Sequence, residues 1–320
     1  MKPVFSVIVP AYNEQEVLHE SYKRLKSTMD GLNEPYELLF VNDGSRDDTQ
    51  KILQELSSAD QNVKVLQFSR NFGHQIAVTA GLDHASGQAI VIIDCDLQDP
   101  PEVIVQMVEK WREGYDVVYG KRKKREGESV FKKLSAFLFY RTLQSMSSQP
   151  IPLDTGDFRL IDRKVRDALC AMPEHNRFLR GMVSWVGFKQ TPVEYHRDAR
   201  WAGETKYPLS KMLKLAGDGI TAFSVKPLGL SVALGAITCV LSLLFILVWL
   251  VLMWCGVYRM PGYAYGIAVL ACLSGIIMLL LGIIGTYIGR IFDEAKGRPH
   301  YLLYQKINFS EDSIDDRPEK

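Results

Sequence analysis

No Cys-x-x-Cys pair occurs in the chain, and its five cysteines are an odd number. Cys239, Cys255 and Cys272 lie in an apolar region, and Cys95 and Cys170 stand apart. A zinc-binding knuckle and a disulfide framework are thereby excluded, and a reducing, cytosol-facing compartment fits. An excess of positive charge is also missing. Lys plus Arg number 38 and Asp plus Glu 37, for a net charge of +1, whereas a nucleic-acid binder would be strongly basic. Glycine is absent from the first strand-to-helix turn, Pro10-Ala11-Tyr12-Asn13-Glu14. A dinucleotide-binding loop needs three glycines there for close approach to a pyrophosphate, which argues against a nicotinamide domain. Met1-Lys2-Pro3 and the short apolar run after it lack the apolar core of a secretory signal.

The remaining composition, 47% apolar and 23% charged over 320 residues, is that of a folded chain of roughly two domains. The average hides an asymmetry. Charge lies mostly before Lys226, and the stretch from Pro227 to Gly289 is nearly charge-free. Leu228 to Trp254 carries no charge, and as a helix of about 27 residues it would reach about 40 Å. A second uncharged stretch lies between Pro261 and Gly289. The expectation is a transmembrane hairpin over 226–290, with spans of about 228–254 and 262–289. Lys211, Lys214 and Lys226 precede it, Arg290, Lys296 and Arg298 follow it, and only Arg259 lies between. Positive charge therefore places both termini in the cytoplasm. Trp249, Trp254, Tyr258, Tyr263 and Tyr265 form an aromatic belt at the far side. Residues 291–320 are expected as a cytoplasmic tail, frayed after Asn308. Gly229, Gly235, Gly282, Gly285 and Gly289 permit close helix packing, so self-association as a homo-oligomer stays open.

Before the hairpin, strands and helices alternate. Phe5-Ser-Val-Ile-Val9 has the unbroken apolar pattern of a buried parallel strand. Asn13 with Glu16 three residues on has capping-box spacing and predicts a helix with Leu18, Tyr22, Leu25 and Met29 inward. Further strands are expected at 37–42, 63–68, 89–94 and 116–119, and helices after Ser45 and Asp48, over 74–85 and from Pro101 to Trp111. Phe158-Arg-Leu-Ile161 reads as another strand. Such alternation predicts a mainly parallel α/β sheet over residues 1–225, with ligands at the carboxyl ends of its strands. Asn13 and Glu14, Asp43, and Asp94 with Asp96 follow the first, second and fourth strands and so gather at one sheet edge.

Asp94-Cys-Asp-Leu-Gln-Asp99 is the sharpest local signal. If the strand persists, Asp94 and Asp96 share one face. Like charges so close are costly unless a cation lies between them. Mg²⁺ or Mn²⁺, hard ions that also hold substrate phosphates, fit that requirement. Cys95 should point away and be inert. His74, a lone histidine after a strand, reads as a supporting contact rather than a metal ligand.

Three stretches, Ser6-Val-Ile-Val-Pro-Ala-Tyr-Asn-Glu14, Val41-Asn-Asp-Gly-Ser-Arg-Asp-Asp-Thr49 and Asp94-Cys-Asp-Leu-Gln-Asp-Pro-Pro101, resemble inverting glycosyltransferases of family 2 with the GT-A fold. Phe68-Ser-Arg-Asn-Phe-Gly-His74 and Gly156-Asp-Phe-Arg-Leu160 are similar to the polyprenyl-phosphate branch, which includes dolichol-phosphate mannose synthases and bactoprenol glucosyltransferases. The resemblance covers nearly the whole chain. It implies that Pro10, Tyr12, Glu14 and Asp43 hold the uridine of a UDP-sugar. It implies that Asp94, Asp96 and Gln98 contact the metal and the donor diphosphate, and that Asp157 lies by the acceptor phosphate and the sugar. Arg200-Trp-Ala-Gly-Glu-Thr-Lys206 looks like the loop that covers the donor, with Arg200 and Lys206 as its cations. Asn42 stands where many members have a second aspartate. The implied reaction is hexose transfer, glucose by resemblance alone, to undecaprenyl phosphate at the cytoplasmic face of a bacterial plasma membrane.

A lipid phosphate has a second pKa near 6, about that of other phosphate monoesters, so it is already a nucleophile at neutral pH. The site must instead neutralise the leaving diphosphate and align the attack. The basic run from Lys121 to Arg125, together with Lys132, Lys133 and Arg141, offers cations for the acceptor phosphate or for lipid headgroups. Lys121, Arg122 and Arg141 are the candidates for the phosphate. Amphipathic segments over about 129–147 and 208–224 read as helices lying at the bilayer surface or packed in a core. Two other functions stay open. His196-Arg-Asp-Ala-Arg-Trp201 partly resembles the motif of processive polysaccharide synthases, with His196 in place of a glutamine. A non-catalytic sugar-nucleotide sensor or lipid carrier is the other.

Overall fold

In the computed structural model, the described residues are 2–122, 155–175, 177–196, scattered positions from 237 to 255, and 262–309. The expected surface helices 129–147 and 208–224, and Arg141, Arg200 and Lys206, lie outside them. The described residues fall into two compact units, one built on a sheet and one on a long helix.

The sheet unit begins with β1 (Phe5–Ala11), α1 (Leu18–Asp30), β2 (Tyr36–Asn42), α2 (Thr49–Ala59), β3 (Val63–Phe68), α3 (His74–His84), β4 (Ala89–Ile92), α4 (Val103–Arg112) and β5 (Val117–Arg122). It continues with β6 (Thr155–Asp162), α5 (Arg163–Cys170), α6 (Leu179–Trp185) and β7 (Gln190–Tyr195). β1 and β2 are buried along their whole lengths, which is why their sequences run apolar without alternation. α1 turns Leu18, Leu25 and Met29 inward, and α2 turns Leu53 and Leu56, the helical-period stripe expected of an amphipathic helix. Pro10 is buried inside β1 opposite Val41.

The eight strands lie in the order β7-β5-β6-β4-β1-β2-β3-β8. β8 is Leu303–Ile307. The centre, β4-β1-β2-β3, is parallel, so the carboxyl ends of its strands share one edge. β6 departs from the expected pattern, running antiparallel between β4 and β5. β8 departs further. Residues 303–307 do not belong to a tail but pair antiparallel with β3, Val65 facing Ile307. Asn308 closes the strand by donating to the Ser57 carbonyl at 2.7 Å and the Val63 carbonyl at 2.8 Å. A five-residue strand rich in Tyr, Gln and Lys has too little apolar pattern to be seen without the β3 edge it covers.

Helix starts also differ from the capping expectation. α1 begins at Leu18, and its first turn has no side-chain cap. Asn13 is in the left-handed region at φ 54°, and it belongs to a lattice of contacts between two loops described below. The C-terminal end of α5 is sealed by buried Arg177, whose Nη2 donates to the Leu169 carbonyl at 2.8 Å and also to the Met172 carbonyl, satisfying acceptors that a helix end leaves over.

Glu37 is a buried charge outside the strand-end cluster. It is 2% exposed, pairs with Lys64 at 2.6 Å, and accepts from Ser86 N at 2.7 Å and from the Ser6 hydroxyl. Burial would raise its pKa, but the bonds from Lys64, Ser6 and Ser86 outweigh it and hold the carboxyl below its ordinary 4.5. A depressed acid contributes stability that is present above its unfolded pKa and is lost as pH falls through the folded one. Glu37→Gln should therefore destabilise the sheet unit at pH 7 by about 3 kcal/mol, the usual cost of breaking a buried pair. The loss should shrink below pH 4.5. Denaturant titration of the purified protein at pH 7 and pH 4 checks both.

The second unit is dominated by α7 (Gly262–Ala295). Leu273–Ala295 is long and apolar enough to cross a membrane, with a mean hydropathy of 1.9 and no buried residue in its most apolar window. α7 runs past the expected span end at 289. Of the expected first span, only scattered positions between 237 and 255 are described. Several are helical and exposed, among them Leu241, Leu247 and Trp254. Among the described residues one helix qualifies as a span, so the two-helix hairpin is not established.

Candidate active site

The carboxyl ends of β1 and β2 are laced to each other. Asn13 accepts from Arg46 N at 2.8 Å through its side chain and donates its own N–H to the Ser45 hydroxyl at 3.0 Å. Glu14 N donates to the Thr49 hydroxyl at 2.9 Å, and Asp48 N donates to the Gln15 side chain at 3.0 Å. Polar residues that read as caps for their own helices serve instead as reciprocal ties, because two parallel strand ends bring their loops side by side. The ties hold Tyr12 and Glu14 half-buried at the sheet edge.

Asp43, at the end of β2, is 3% exposed. Its carboxylate accepts from Asn71 Nδ2 at 2.9 Å, Phe72 N at 2.6 Å and Gly73 N at 2.9 Å. Burial nonetheless pushes its pKa up. Its observed work is to hold the loop between β3 and α3. Gly44 makes that contact possible. At φ +65°, a Cβ on it would stand 2.5 Å from the backbone carbon of Arg70. Gly44→Ala should therefore force the two loops apart and lower the melting temperature, while the conformationally matched control Gly114→Ala, with φ +91° and nothing near its Cβ, suffers the backbone strain alone. Thermal unfolding of the pair isolates the loop contact.

The same loop is fixed from outside. Tyr301, just before β8, stacks on Phe68 at 5.2 Å and donates to Asp83 at 2.9 Å. Phe68 meets Phe72 edge-on at 5.5 Å. Ser69 N donates to the Leu302 carbonyl at 3.0 Å. The chain that follows the apolar helix thus braces the loop that grips Asp43.

β4 ends at Ile92, two residues before the acidic pair, so Asp94 and Asp96 do not share a strand face. Ile93 makes one last bond to the Ile8 carbonyl at 3.1 Å. A tight turn follows, with Leu97 at φ 57° and Gln98 N donating to Asp96 Oδ1 at 3.1 Å. Asp94, Asp96 and Gln98 are half-buried, and Cys95 between the two acids is buried, its thiol pushed up by burial. Burial, then the neighbouring Asp157, Asp96 and Asp99 charges, push the Asp94 carboxyl up to about 6 against the opposing pull of His74. Among the described residues no three His, Cys, Asp or Glu side chains stand together as a metal cage. Two neighbouring carboxylates suit a hard divalent ion that takes its remaining oxygen ligands from water and a diphosphate.

Asp157, on β6, is where three elements meet. Arg180, on α6, grips it with two bonds, Nε to Oδ1 at 2.8 Å and Nη2 to Oδ2 at 3.1 Å. Gln75 donates to it at 3.4 Å and accepts from Leu179 N at 3.1 Å, tying α3 to the start of α6. His74 Nε2 stands 3.4 Å from Asp157 and 3.6 Å from Asp94. Although burial opposes its charging, Asp94 and Asp157 push His74 up to about 9. Burial disfavours ionisation of Asp157, yet Arg180 and His74 hold it well below the ordinary carboxylate range. Beneath it, buried Arg159 donates to the Asp157 and Gly156 carbonyls at 3.2 and 2.9 Å. Arg180 and Gln75 carry no motif that singles them out in the sequence, and His74, read there as a supporting contact, bridges the two acids.

Of the acceptor candidates, Lys121 is exposed and pairs with Glu194 at 3.0 Å. Arg122 is largely buried against Asp99 and Tyr195, and the Arg180 charge acts on it.

A comparison with known proteins identifies the family. The model of Glycosyl transferase family 2 matches residues 6–170. An uncharacterized glycosyltransferase of Bacillus subtilis (strain 168) is 57% identical over 93% of both chains. The prophage bactoprenol glucosyl transferase homolog of Escherichia coli (strain K12) is 41% identical over 93% of this chain and 97% of its own. The SfII prophage-derived bactoprenol glucosyl transferase of Shigella flexneri is 39% identical over 93% of this chain and 96% of its own. With a family model matched over half of the chain and relatives matched along nearly their whole length, the chain belongs to glycosyl transferase family 2.

Proposed function

We propose that the protein transfers a hexose, glucose in the simplest case, from a UDP-sugar to undecaprenyl phosphate at the cytoplasmic face of the plasma membrane, with inversion at the anomeric carbon. The observation that carries this reading is the meeting of carboxylates and cations at Asp157. Asp96 and Asp157 lie near enough to Asp94 to act on its ionisation, His74 bridges Asp94 and Asp157, and the cations Arg180 and Arg122 are near enough to act on each other. The carboxylates Asp94 and Asp96 suit a metal-bound diphosphate, and the arginines suit a second phosphate. The relatives named as bactoprenol glucosyl transferases and the apolar helix support a lipid-borne acceptor.

Asp94, Asp96 and Gln98 hold Mg²⁺ or Mn²⁺ with the donor diphosphate. When bound, the ion neutralises charge developing on the leaving diphosphate. Tyr12 and Glu14, fixed by the ties between loops, flank the uridine, and Pro10 and Asp43 shape the floor from buried positions. Arg200 and Lys206 close over the donor. Lys121, Arg122 and Arg141 receive the acceptor phosphate. A phosphate oxygen attacks the anomeric carbon, the bond from that carbon to the diphosphate breaks, and UDP leaves. The phosphate dianion supplies its own electron pair, so no side chain must take a proton. Asp157, held ionised by Arg180, orients the sugar and the incoming phosphate rather than acting as a base.

The residues 226–290 anchor the enzyme as two spans, with the catalytic domain 1–225 and both termini cytoplasmic. Incubation of the full-length protein with UDP-glucose, Mg²⁺ and undecaprenyl phosphate should yield a lipid of undecaprenyl phosphate mass plus one hexose. Failure to form any lipid-linked sugar with each common UDP-sugar would refute the assignment.

A further inference from the structure

We propose that Asp99, Tyr195 and Gly156 form a socket that fixes the Arg122 guanidinium in the position from which it binds the acceptor phosphate. The inference deepens the function proposed above and rests on Arg122 being a phosphate contact.

Arg122 and Tyr195 are the last residues of β5 and β7 and face each other in the register of that parallel pair. Asp99 arrives from the turn after β4, and Gly156 from β6. Three separate elements therefore converge on the guanidinium that β5 carries. Asp99 is 1% exposed and accepts the Tyr195 hydroxyl. Arg122 Nε donates to that same hydroxyl oxygen at 3.4 Å, and Nη2 stands 3.7 Å from Asp99 Oδ2. The Tyr195 hydroxyl thus accepts from the cation and donates to the anion. Burial and the Asp99 charge push its pKa well above the ordinary tyrosine value, so it keeps the proton it gives to Asp99.

The ring of Tyr195 is itself immobilised. It meets Phe158 edge-on at 5.7 Å, and Gly120 leaves the space its edge occupies, since a Cβ there would stand 2.7 Å from Tyr195 Cε1. A Cβ on Gly156 would stand 2.7 Å from Arg122 Nη2. The guanidinium thus fills the room that a side chain at 156 would take.

The ion pair is loose and one-sided. A guanidinium that served only to neutralise Asp99 would form a two-bond fork below 3 Å, about the usual charge-assisted distance. Here the closest approach is 3.7 Å. An arginine has five N–H donors, and among the described residues Tyr195 and Asp99 engage one edge of it. With the Arg122 side chain 14% exposed, the other edge of the guanidinium takes no partner among the described residues, as a site for a second anion requires. A preorganised arginine loses little conformational entropy when the phosphate arrives.

Asp99, Tyr195 and Gly156 are positioning residues, and the split between acceptor and donor constants separates that role from a merely structural one. Tyr195→Phe keeps the ring and its packing and removes the hydroxyl. It should raise KM for undecaprenyl phosphate about tenfold, the effect of one hydrogen bond to a charged group, and leave KM for UDP-glucose unchanged. Gly156→Ala, which displaces the guanidinium tip, should do the same at an unchanged melting temperature. Arg122→Ala should exceed both, at about a hundredfold. If Arg122→Ala raises the acceptor KM while Tyr195→Phe and Gly156→Ala both keep the parent value, the socket is overturned and the acceptor assignment stands. An acceptor KM untouched in Arg122→Ala overturns both. Equal rises in the donor and acceptor constants of Tyr195→Phe would also overturn the socket, because they would mark general loosening.

Discussion

Asp96→Ala should lower turnover with UDP-glucose and undecaprenyl phosphate by about a thousandfold, the several kcal/mol that a lost charge-stabilising contact to a leaving group costs. Asp96 sits in a turn whose shape does not depend on its carboxylate alone. Leu97 takes the left-handed conformation, and buried Asp99 anchors the end of the turn through Tyr195. The variant should therefore fold, and its melting temperature should stay near that of the parent. Calorimetry supplies a readout apart from activity. Mn²⁺ should tighten UDP binding to the parent protein and should fail to do so in Asp96→Ala, while metal-free UDP binds both alike. Turnover within a few-fold of the parent would remove Asp96 from the metal site.

Asp157→Asn should cost about a hundredfold in turnover at saturating concentrations of both substrates, comparable to losing one well-placed polar group at the reacting centre. The substitution keeps the shape and removes the charge. Arg180 and His74 then face an amide in place of the carboxylate they now hold at 2.8 and 3.4 Å. Two cations lose their shared anion, so stability should fall as well, by about 3 kcal/mol for a buried pair with one partner removed. Arg180→Ala should show the larger stability loss, since it leaves Asp157 charged and under-compensated. Arg180→Lys should recover only part of the rate because an ammonium cannot make the two-bond fork. Initial rates and denaturant unfolding of these three variants check the ordering. A fully active Asp157→Asn would show that the carboxylate only braces the fold.

The depth of site that the sequence discloses follows from distance along the chain. The acidic turn is legible because its residues are within five positions of each other and follow an apolar strand, Ala89 to Ile92. His74 is legible as a residue near the site, since it opens a helix after β3, but its bridge between Asp94 and Asp157 spans separations that no local pattern encodes. Asn13 shows the opposite failure. Its spacing to Glu16 matches a capping box, and the local rule lost to Ser45 and Arg46, which a parallel neighbour strand brought within hydrogen-bond reach. β8 is hidden in the sequence for a similar reason. Its residues gain their pattern only from the exposed edge of β3 and from the seat of Tyr301 on Phe68.

By itself the sequence determined the alternation of strands and helices, the family, the acidic turn and the uncharged carboxyl-terminal region, because each is written in short-range periodicity or in adjacent residues. The tertiary structure alone decided which groups meet. It inserted β6 antiparallel beside β4, set Arg122 against Tyr195, closed Arg180 on Asp157 and returned the chain after α7 to the sheet. These pairings depend on strand order and register, which the packing of the whole domain sets and no window of neighbouring residues contains.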